Sequence, residues 1–357
     1  MEFDHETLGQ RVLFGTHKAA ANLSEEVRRR GAERVMLIDG TGVGLGDKLS
    51  VGLPIAFRHN EVGAHVPIEI ARTARAVAVS GNVDLLVCVG GGSTTGLAKA
   101  VAIDTGLPIV AVPTTYAGSE ATDVWGLTEN SRKTTGSDEL ALPRTVIYDA
   151  ALTFDLPSSL SVASGLNALA HCVDSMWAPR ADPINQALAA EGIRVLNRGL
   201  PRIARDPYDI FGREECLYGA YLSAVAFASA GSGMHHKICH VLGGAYNLPH
   251  ADMHACVLPH VLAFNATAAP DAASRIAEAF GTVDAPSGLA RLRAALDAPH
   301  ALRDYGFDED SIPEAVQLIL PVIPESNPRR VDADVLAQLL HAACTGVTSI
   351  FDPTDRY

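Results

Sequence analysis

The sequence is short of positive charge and of aromatics: 28 Lys and Arg stand against 41 Asp and Glu, a formal net charge of −13, and aromatic residues make up 6% of its 357 positions. The acidic surplus argues against nucleic acid or an anionic membrane as the main partner, since both would be repelled. An anionic ligand must then be met by a local group of cations. Long apolar runs are absent too. The longest, over 85–89 and 108–113, fall far short of the ~20 residues that cross a bilayer. Met1-Glu2-Phe3-Asp4 places acids where a secretory leader has a basic start and an apolar stretch, so a cytoplasmic location is expected. There is no internal repeat, low-complexity tract or C-x-x-C pair. The six cysteines (Cys88, Cys172, Cys216, Cys239, Cys256, Cys344) are scattered, several inside apolar runs, and read as buried free thiols rather than disulfides or a zinc knuckle.

What is present is a hydrophobic fraction of 48% with 19% charged residues, enough for a large core. The length suits two domains at roughly 100–200 residues each. Up to Asp155 short β-like runs alternate with helical segments; strands are predicted over 34–38, 84–89, 108–112 and 145–148. Strands separated by helices imply a parallel sheet covered on both faces. Beyond that point the chain reads as helix after helix, over 160–178, 183–200, 212–229, 234–243, 255–265, 270–280, 288–296, 311–320 and 332–344, with Gly243-Gly244, Pro201 and Pro249 as stops. The expected division is 1–155, α/β and dinucleotide-binding, and 156–357, all-helical and carrying the substrate.

The sharpest local feature is Gly90-Gly91-Gly92-Ser93-Thr94-Thr95-Gly96-Leu97-Ala98-Lys99. It follows a buried strand and opens a helix, so glycines without side chains leave backbone N–H groups free to cradle a phosphate. A Walker loop would need Lys directly after the closing glycine, where Leu97 stands, and the G-x-G-x-x-G spacing is imperfect. A second loop, Pro113-Thr114-Thr115-Tyr116-Ala117-Gly118-Ser119-Glu120, follows the next strand. In a doubly wound sheet ligands bind outside the carboxyl ends of the strands, so Ser93, Thr94, Thr114, Thr115 and Ser119 are candidates for a ribose or pyrophosphate, with Lys133 reaching the same crevice. Asp39, at the end of the first predicted strand, can bond a ribose hydroxyl and repel a 2′-phosphate, which leans toward NADH without excluding NADPH.

The histidines form the other group. Asn167 and His171 stand at i and i+4, and His236 and His240 repeat that spacing, so each pair shares a helical face. His250 follows the Gly243-Gly244 break and can fold back toward them. Such sets bind metals or move protons.

Together these segments resemble the iron-containing alcohol dehydrogenase superfamily, and its maleylacetate reductase branch in particular. The superfamily's G-G-G-S-x-x-D-x-A-K appears at 90–99 with Gly96 in the Asp position, its P-T-T-x-x-G-S-E loop at 113–120, and its D-x-x-x-H, H-x-x-x-H and P-H-G elements at Asn167 to His171, His236 to His240 and Pro249-His250-Ala251. Ser164-Gly165-Leu166-Asn167-Ala168 and Met234-His235-His236-Lys237 are similar to the reductase branch. The resemblance implies a Rossmann-like α/β domain followed by an all-α domain, the dehydroquinate synthase-like architecture. It also implies NADH or NADPH as cofactor, a small dicarboxylate substrate, commonly a homodimer, and reduction of maleylacetate to 3-oxoadipate.

The superfamily's metal ligands map onto Asn167, His171, His236 and His250. An amide in place of the carboxylate removes the site's anionic charge, so no tightly bound metal is expected. His240 and His236 are then the expected donor and acid, with His171 and His250 shaping the pocket and Lys237 and His65 facing the carboxylates. The alternatives are a metal-dependent alcohol or polyol dehydrogenase of the same superfamily, or a dinucleotide-binding module without turnover.

Overall fold

The computed structural model describes residues 2–42, 44–63, 66–129 and 132–347. The chain divides into two compact units, Thr7–Leu156 and Met1–Glu6 with Pro157–Tyr357. The first unit contains, in order, β1 (Arg11–Phe14), α1 (Ala19–Arg30), β2 (Val35–Asp39), α2 (Leu45–Leu49), β3 (Ile55–His59), α3 (Ile68–Ser80), β4 (Leu85–Gly90), α4 (Gly92–Thr105), β5 (Ile109–Pro113), β6 (Val124–Glu129), β7 (Arg132–Ser137) and β8 (Thr145–Tyr148). Among the described residues one parallel sheet runs β1-β8-β5-β4-β2-β3, and β6 pairs with β7 as an antiparallel hairpin.

The sheet's residues alternate between two cores. Met36, Ile38, Leu86, Cys88 and Ala111 pack with Ala74 and Val101 of α3 and α4. Val35, Leu37, Leu85, Val87, Val89, Val110 and Val112 pack with Leu23 and Val27 of α1. Both faces are covered, so the central strands carry apolar runs instead of a polar alternation. The strand order reverses at β2 and β4, since β2 leads outward to β3 and the chain then returns to β4 on the other side. Ligands of open α/β sheets bind at such a switch point.

The edge strand β3, and β1 at the opposite edge, are not among the predicted strands, nor is the hairpin. Each of these segments is only partly buried where that can be described, so none has the apolar run that marks an inner strand.

The second unit is helical: α5 (Ser158–Ser175), α6 (Pro183–Arg205), α7 (Ile210–Ala230), α8 (Met234–Tyr246), α9 (His250–Ala266), α10 (Pro270–Phe280), α11 (Ala285–Leu296), α12 (Ile312–Ile319) and α13 (Ala333–Thr345). One apolar cluster joins Met234, Ile238 and Leu242 of α8 to Met253 and Val257 of α9 and to Leu336 and Leu340 of α13. Two expected stops are not stops. Pro201 lies inside α6, whose buried residues Leu196, Gly199, Leu200 and Ile203 carry the helix past it. Gly243-Gly244 lies inside α8, which runs to an Asn247 cap at φ 52°; a Cβ at Gly243 would lie 3.2 Å from Met253 Cε, so that glycine serves close packing. Residues near the start join this unit because His5 Nδ1 bonds Asp182 Oδ2 at 2.7 Å, on the residue that caps α6. All six cysteines are free and buried. No helix among the described residues is long and apolar enough to cross a membrane.

Glu26, buried on α1, accepts from Arg29, Arg30 and the Thr145 hydroxyl of β8. Burial works to raise its pKa, but the bonds from Arg29, Thr145 and Arg30 outweigh it and lower the value from 4.5 to about 2. A depressed folded pKa gives stability that is present above the unfolded value and is lost as pH falls through the folded one. We predict that Glu26→Gln costs about 2 kcal/mol at pH 7 and that the gap to the native protein closes between pH 5 and pH 2, about the range of the two pKa values. Thermal melts of both proteins across that range check it; a gap independent of pH would refute it.

Candidate functional site

At the switch point the loops after β2, β4 and β5 meet within the first unit. Gly40 N donates to Val89 O at 3.1 Å and Thr114 N to Gly90 O at 3.0 Å. Gly90 has φ 149°, a backbone state that side chains disfavour. A Cβ at Gly40 or at Gly90 would collide with Thr94. Thr94 is thus turned inward, 2% exposed, and spaces the two loops; it is not the open hydroxyl expected from the motif. Gly91, the N-cap of α4, offers no side-chain bond to the first turn, and a Cβ there would lie 3.0 Å from Thr115 Cγ2. Helix α4 therefore starts with uncapped N–H groups between small residues, a fit for the pyrophosphate of a dinucleotide.

Ser93, Thr114, Thr115 and Ser119 are each partly exposed around this point. Lys99 closes the motif but faces away from it. Its buried Nζ donates to Thr122 O at 2.8 Å and Val124 O at 2.6 Å, fixing α4 to the start of β6. Asp39 is engaged by its own loop: Oδ1 accepts from Thr41 N at 2.9 Å and Thr41 Oγ1 at 2.6 Å, and Oδ2 from Gly46 N at 2.8 Å. A ribose hydroxyl has to use its remaining lone pairs. Lys133 pairs through its backbone with Thr128 in the hairpin; its side chain, and His65 entirely, lie outside the described residues.

The second unit assembles the histidines. Asn167, His171 and Asp174 share one face of α5, at i, i+4 and i+7, and all are buried. Asp174 was not expected from the sequence, yet it organises the site. Its Oδ2 accepts from Gly233 N at 2.9 Å, His236 N at 3.3 Å and His236 Nδ1 at 2.8 Å, and its Oδ1 from His235 N at 3.3 Å. One carboxylate thus caps the first turn of α8 from a neighbouring helix. A Cβ at Gly233 would strike it, which is why glycine precedes Met234. Burial pushes the Asp174 pKa up to about 7 against these bonds. Because Oδ2 already takes two backbone donors, the proton between the side chains belongs to His236 Nδ1, and Nε2 keeps a lone pair.

His236 lies against His171 (ring centroids 4.8 Å, interplanar 21°), Phe227 (4.3 Å), His235 (5.1 Å) and His254 (5.0 Å), with His240 at 6.0 Å. His250 is exposed as the first residue of α9, not the end of a sharp loop, and touches His254 at 4.4 Å. Lys237 and His240 are half-buried. Burial, reinforced by neighbouring imidazoles, lowers His171 and His235 to about 3 and His236 and His254 well below their ordinary range. These rings are neutral at physiological pH. Asn167 Oδ1, His171 Nδ1 and His236 Nε2 are buried with no hydrogen-bond partner among the described residues.

Whether a dication fits can be read from the donors. Asn167, His171, His236 and His250 supply no anion, and tight sites for such ions include charged ligands or closely convergent ones. Among the described residues the one group of His, Cys, Asp or Glu whose ligand atoms all lie within 4.8 Å of one another is His235, Cys239 and His254. Among the described residues His171, His236 and His250 do not form such a group.

His235, Cys239 and His254 were missed in the sequence, although His235 and Cys239, like His250 and His254, have the i, i+4 spacing that singled out the other pairs.

The model of the "Fe-containing alcohol dehydrogenase family, C-terminal" matches residues 161–344, and that of "Iron-containing alcohol dehydrogenase" matches 9–150. A maleylacetate reductase of Burkholderia cepacia is 41% identical over 343 residues, covering 94% of this chain and 96% of that protein. Among solved structures, an iron-containing alcohol dehydrogenase from Corynebacterium glutamicum is 59% identical with a TM-score of 0.96, covering 99% of this chain and 98% of its own. A maleylacetate reductase from Agrobacterium tumefaciens is 37% identical with a TM-score of 0.92, covering 98% and 99%.

Two variants test the geometry. Gly91→Val places methyl groups in the cradle, and we predict a rise of about tenfold or more in the NADH dissociation constant with unchanged circular dichroism. Unaltered NADH titration in the folded variant would refute the cradle. Asp174→Asn turns one acceptor into a donor facing the N–H groups of α8, and should lower unfolding stability by about 2–4 kcal/mol in urea titrations; a change within measurement error would show that α8 does not depend on this cap.

Proposed function

The chain belongs to the iron-containing alcohol dehydrogenase family, and we infer that it is a maleylacetate reductase, an NAD(P)H-dependent oxidoreductase acting on a carbon–carbon double bond. The reaction takes maleylacetate, reduced cofactor and a proton to 3-oxoadipate and oxidised cofactor, a step in the breakdown of aromatic compounds. The observation that carries this reading is the side chain at one position: an amide, Asn167, stands where the family's metal ligands include a carboxylate, among imidazoles that burial keeps neutral. Likeness to maleylacetate reductases over nearly the whole chain supports it.

When bound, the cofactor supplies a hydride to the alkene carbon conjugated with the ketone. The residues of the chain then have two tasks. Negative charge grows on the ketone oxygen and has to be met by hydrogen-bond donors, and a proton has to reach carbon. We assign the proton to His240, which is half-buried and so open to exchange with solvent. His236, with Asp174 fixing its Nδ1 proton, offers an acceptor at Nε2 while neutral. His171 and Asn167 shape the pocket, and Lys237, one position beyond His236, is the proposed partner of a substrate carboxylate.

For the cofactor, we propose that Gly90, Gly91, Gly92 and Ser93 hold the pyrophosphate, with Thr114, Thr115, Ser119 and Lys133 around the ribose and phosphate. The negative charge of Asp39 favours NADH. The family resemblance also carries the expectation of a homodimer working in the cytoplasm.

We propose further that no tightly bound metal takes part, on the strength of Asn167. One feature favours the metal-dependent alcohol dehydrogenase instead: His235, Cys239 and His254 form a group that can hold an ion.

Loss of NADH absorbance with maleylacetate, measured beside a panel of aldehydes and ketones, tests the reading. We predict that chelator-treated protein keeps its maleylacetate activity, and that Asn167→Asp binds zinc or iron at least about tenfold more tightly and loses that activity, because it restores an anionic ligand one turn before His171. Chelator inactivation reversed by a single divalent ion, or metal-dependent aldehyde reduction without maleylacetate turnover, would overturn it in favour of the metal enzyme.

A further inference from the structure

His235 and His254 face each other at 2.9 Å from Nε2 to Nδ1, both fully buried. Their outer nitrogens, His235 Nδ1 and His254 Nε2, have no hydrogen-bond partner among the described residues. Counting protons shows what this demands. A neutral imidazole carries one N–H and one lone pair. The ring that donates in the shared bond therefore has a lone pair outside, and the ring that accepts must carry its own N–H outside. Either way one buried N–H is left needing an acceptor, and such a group costs about 1–3 kcal/mol if nothing meets it.

The position of the pair in the fold selects the arrangement. His235 is the second residue of α8, beside the backbone N–H groups of Gly233, His235 and His236 that converge on Asp174. The positive end of a helix favours a lone pair there and disfavours another N–H. His235 thus carries its proton on Nε2 and donates it to His254 Nδ1, with Cys239 Sγ 3.7 Å from His235 Nε2. The outward N–H falls on His254 Nε2. The His254 ring touches those of His236 and His250 at 5.0 and 4.4 Å, inside the cluster that also holds His171.

We propose that His254 Nε2–H is the hydrogen-bond donor to the ketone oxygen of the substrate as it becomes an enolate, and that His235 is the positioning residue that fixes the required tautomer. The proposal rests on the reduction of a conjugated ketone inferred above. The donor remains neutral throughout: it lends a hydrogen bond to the growing charge and gives up no proton, so it needs no titration in a site where imidazolium is strongly disfavoured. It also complements His236, which presents the opposite face of the same chemistry, a lone pair at Nε2, because its own Nδ1 proton is held by Asp174.

The test has three readings on the full-length enzyme with NADH. Nitrogen-15 shifts of labelled histidine, assigned by comparison with His254→Gln, should show His254 protonated on Nε2 before any substrate is added. With maleylacetate, His254→Phe should lower kcat by about a hundredfold or more, the usual loss when one such donor is removed. His254→Gln, whose amide restores an N–H, should recover about tenfold of that loss, with the NADH dissociation constant changed less than about threefold in both. His235→Phe should lower kcat and shift the His254 nitrogen signals toward a mixture of tautomers.

Protonation of His254 on Nδ1 would overturn the assignment. So would turnover of folded His254→Phe within about threefold of native. Stoichiometric zinc retained by the native enzyme and lost from His254→Gln would overturn it as well, since a metal would take the place of the proton. If His254→Phe does not fold, the nitrogen spectrum and His254→Gln decide. A native enzyme that does not reduce maleylacetate overturns the functional reading itself, and that is visible before any variant is made.

Discussion

The carboxylate of Asp174, at the last turn of α5, is the constraint on which the histidine cluster depends. Four N–H groups of α8 and its approach bond to it, and an anion at a helix N-terminus is stabilised by the partial positive charge there. With α8 started at that point, His235, His236 and Cys239 project from its first turns toward α5 and α9, and His236 is limited to one tautomer. The donors that converge on the carboxylate offset part of the cost of burying it. The same requirement explains the glycine before Met234, since only a residue without Cβ lets the backbone approach so closely.

The dinucleotide end follows a different rule. There the determinant is close approach between loops, with Thr94 filling the space that side chains at Gly40 and Gly90 would take. The uncapped start of α4 supplies attraction for phosphate through backbone dipoles, so an acidic protein needs few cations there. Lys99, which could have been taken for a phosphate ligand, is instead used up by carbonyl oxygens at the base of the hairpin. Its burial lowers its pKa to about 7, in keeping with a role in packing.

The inner strands and the helical half were legible in the sequence because their physics is local. A strand covered on both faces must be an apolar run, and β2, β4, β5 and β8 are. The edge strands were not, since partial exposure removes that run. For the site, the i, i+4 rule found Asn167, His171, His236 and His240. It stopped one turn short of Asp174, which lies at i+7 on the same face, and it was not applied to His250 and His254. What no spacing could show was the direction of the bonds. The proton on His236 Nδ1 is fixed by a residue more than sixty positions away, and that long-range bond makes His236 an acceptor where the sequence alone allowed a donor.

The two departures from the family's pattern differ in physical kind, and the difference bears on function. Gly96 replaces a carboxylate on α4, and a Cβ there would lie 2.8 Å from Val66 Cγ2, where Val66 itself holds a positive φ of 53°. That change makes room for a neighbouring loop and needs no altered chemistry. Asn167 replaces a carboxylate with an amide of nearly the same size, and its buried Oδ1 has no hydrogen-bond partner among the described residues. Its consequence is electrostatic: an anion is missing from a pocket whose imidazoles are already held neutral by burial. A dianionic substrate meets less repulsion there than it would beside a carboxylate, while a dication loses its compensating charge. A pocket of neutral donors and acceptors can stabilise an enolate through directed hydrogen bonds, with Asp174 setting their direction from behind. The substitution at Asn167 and the bonding of Asp174 on the same helix face therefore act together, one removing charge from the pocket and the other orienting what remains.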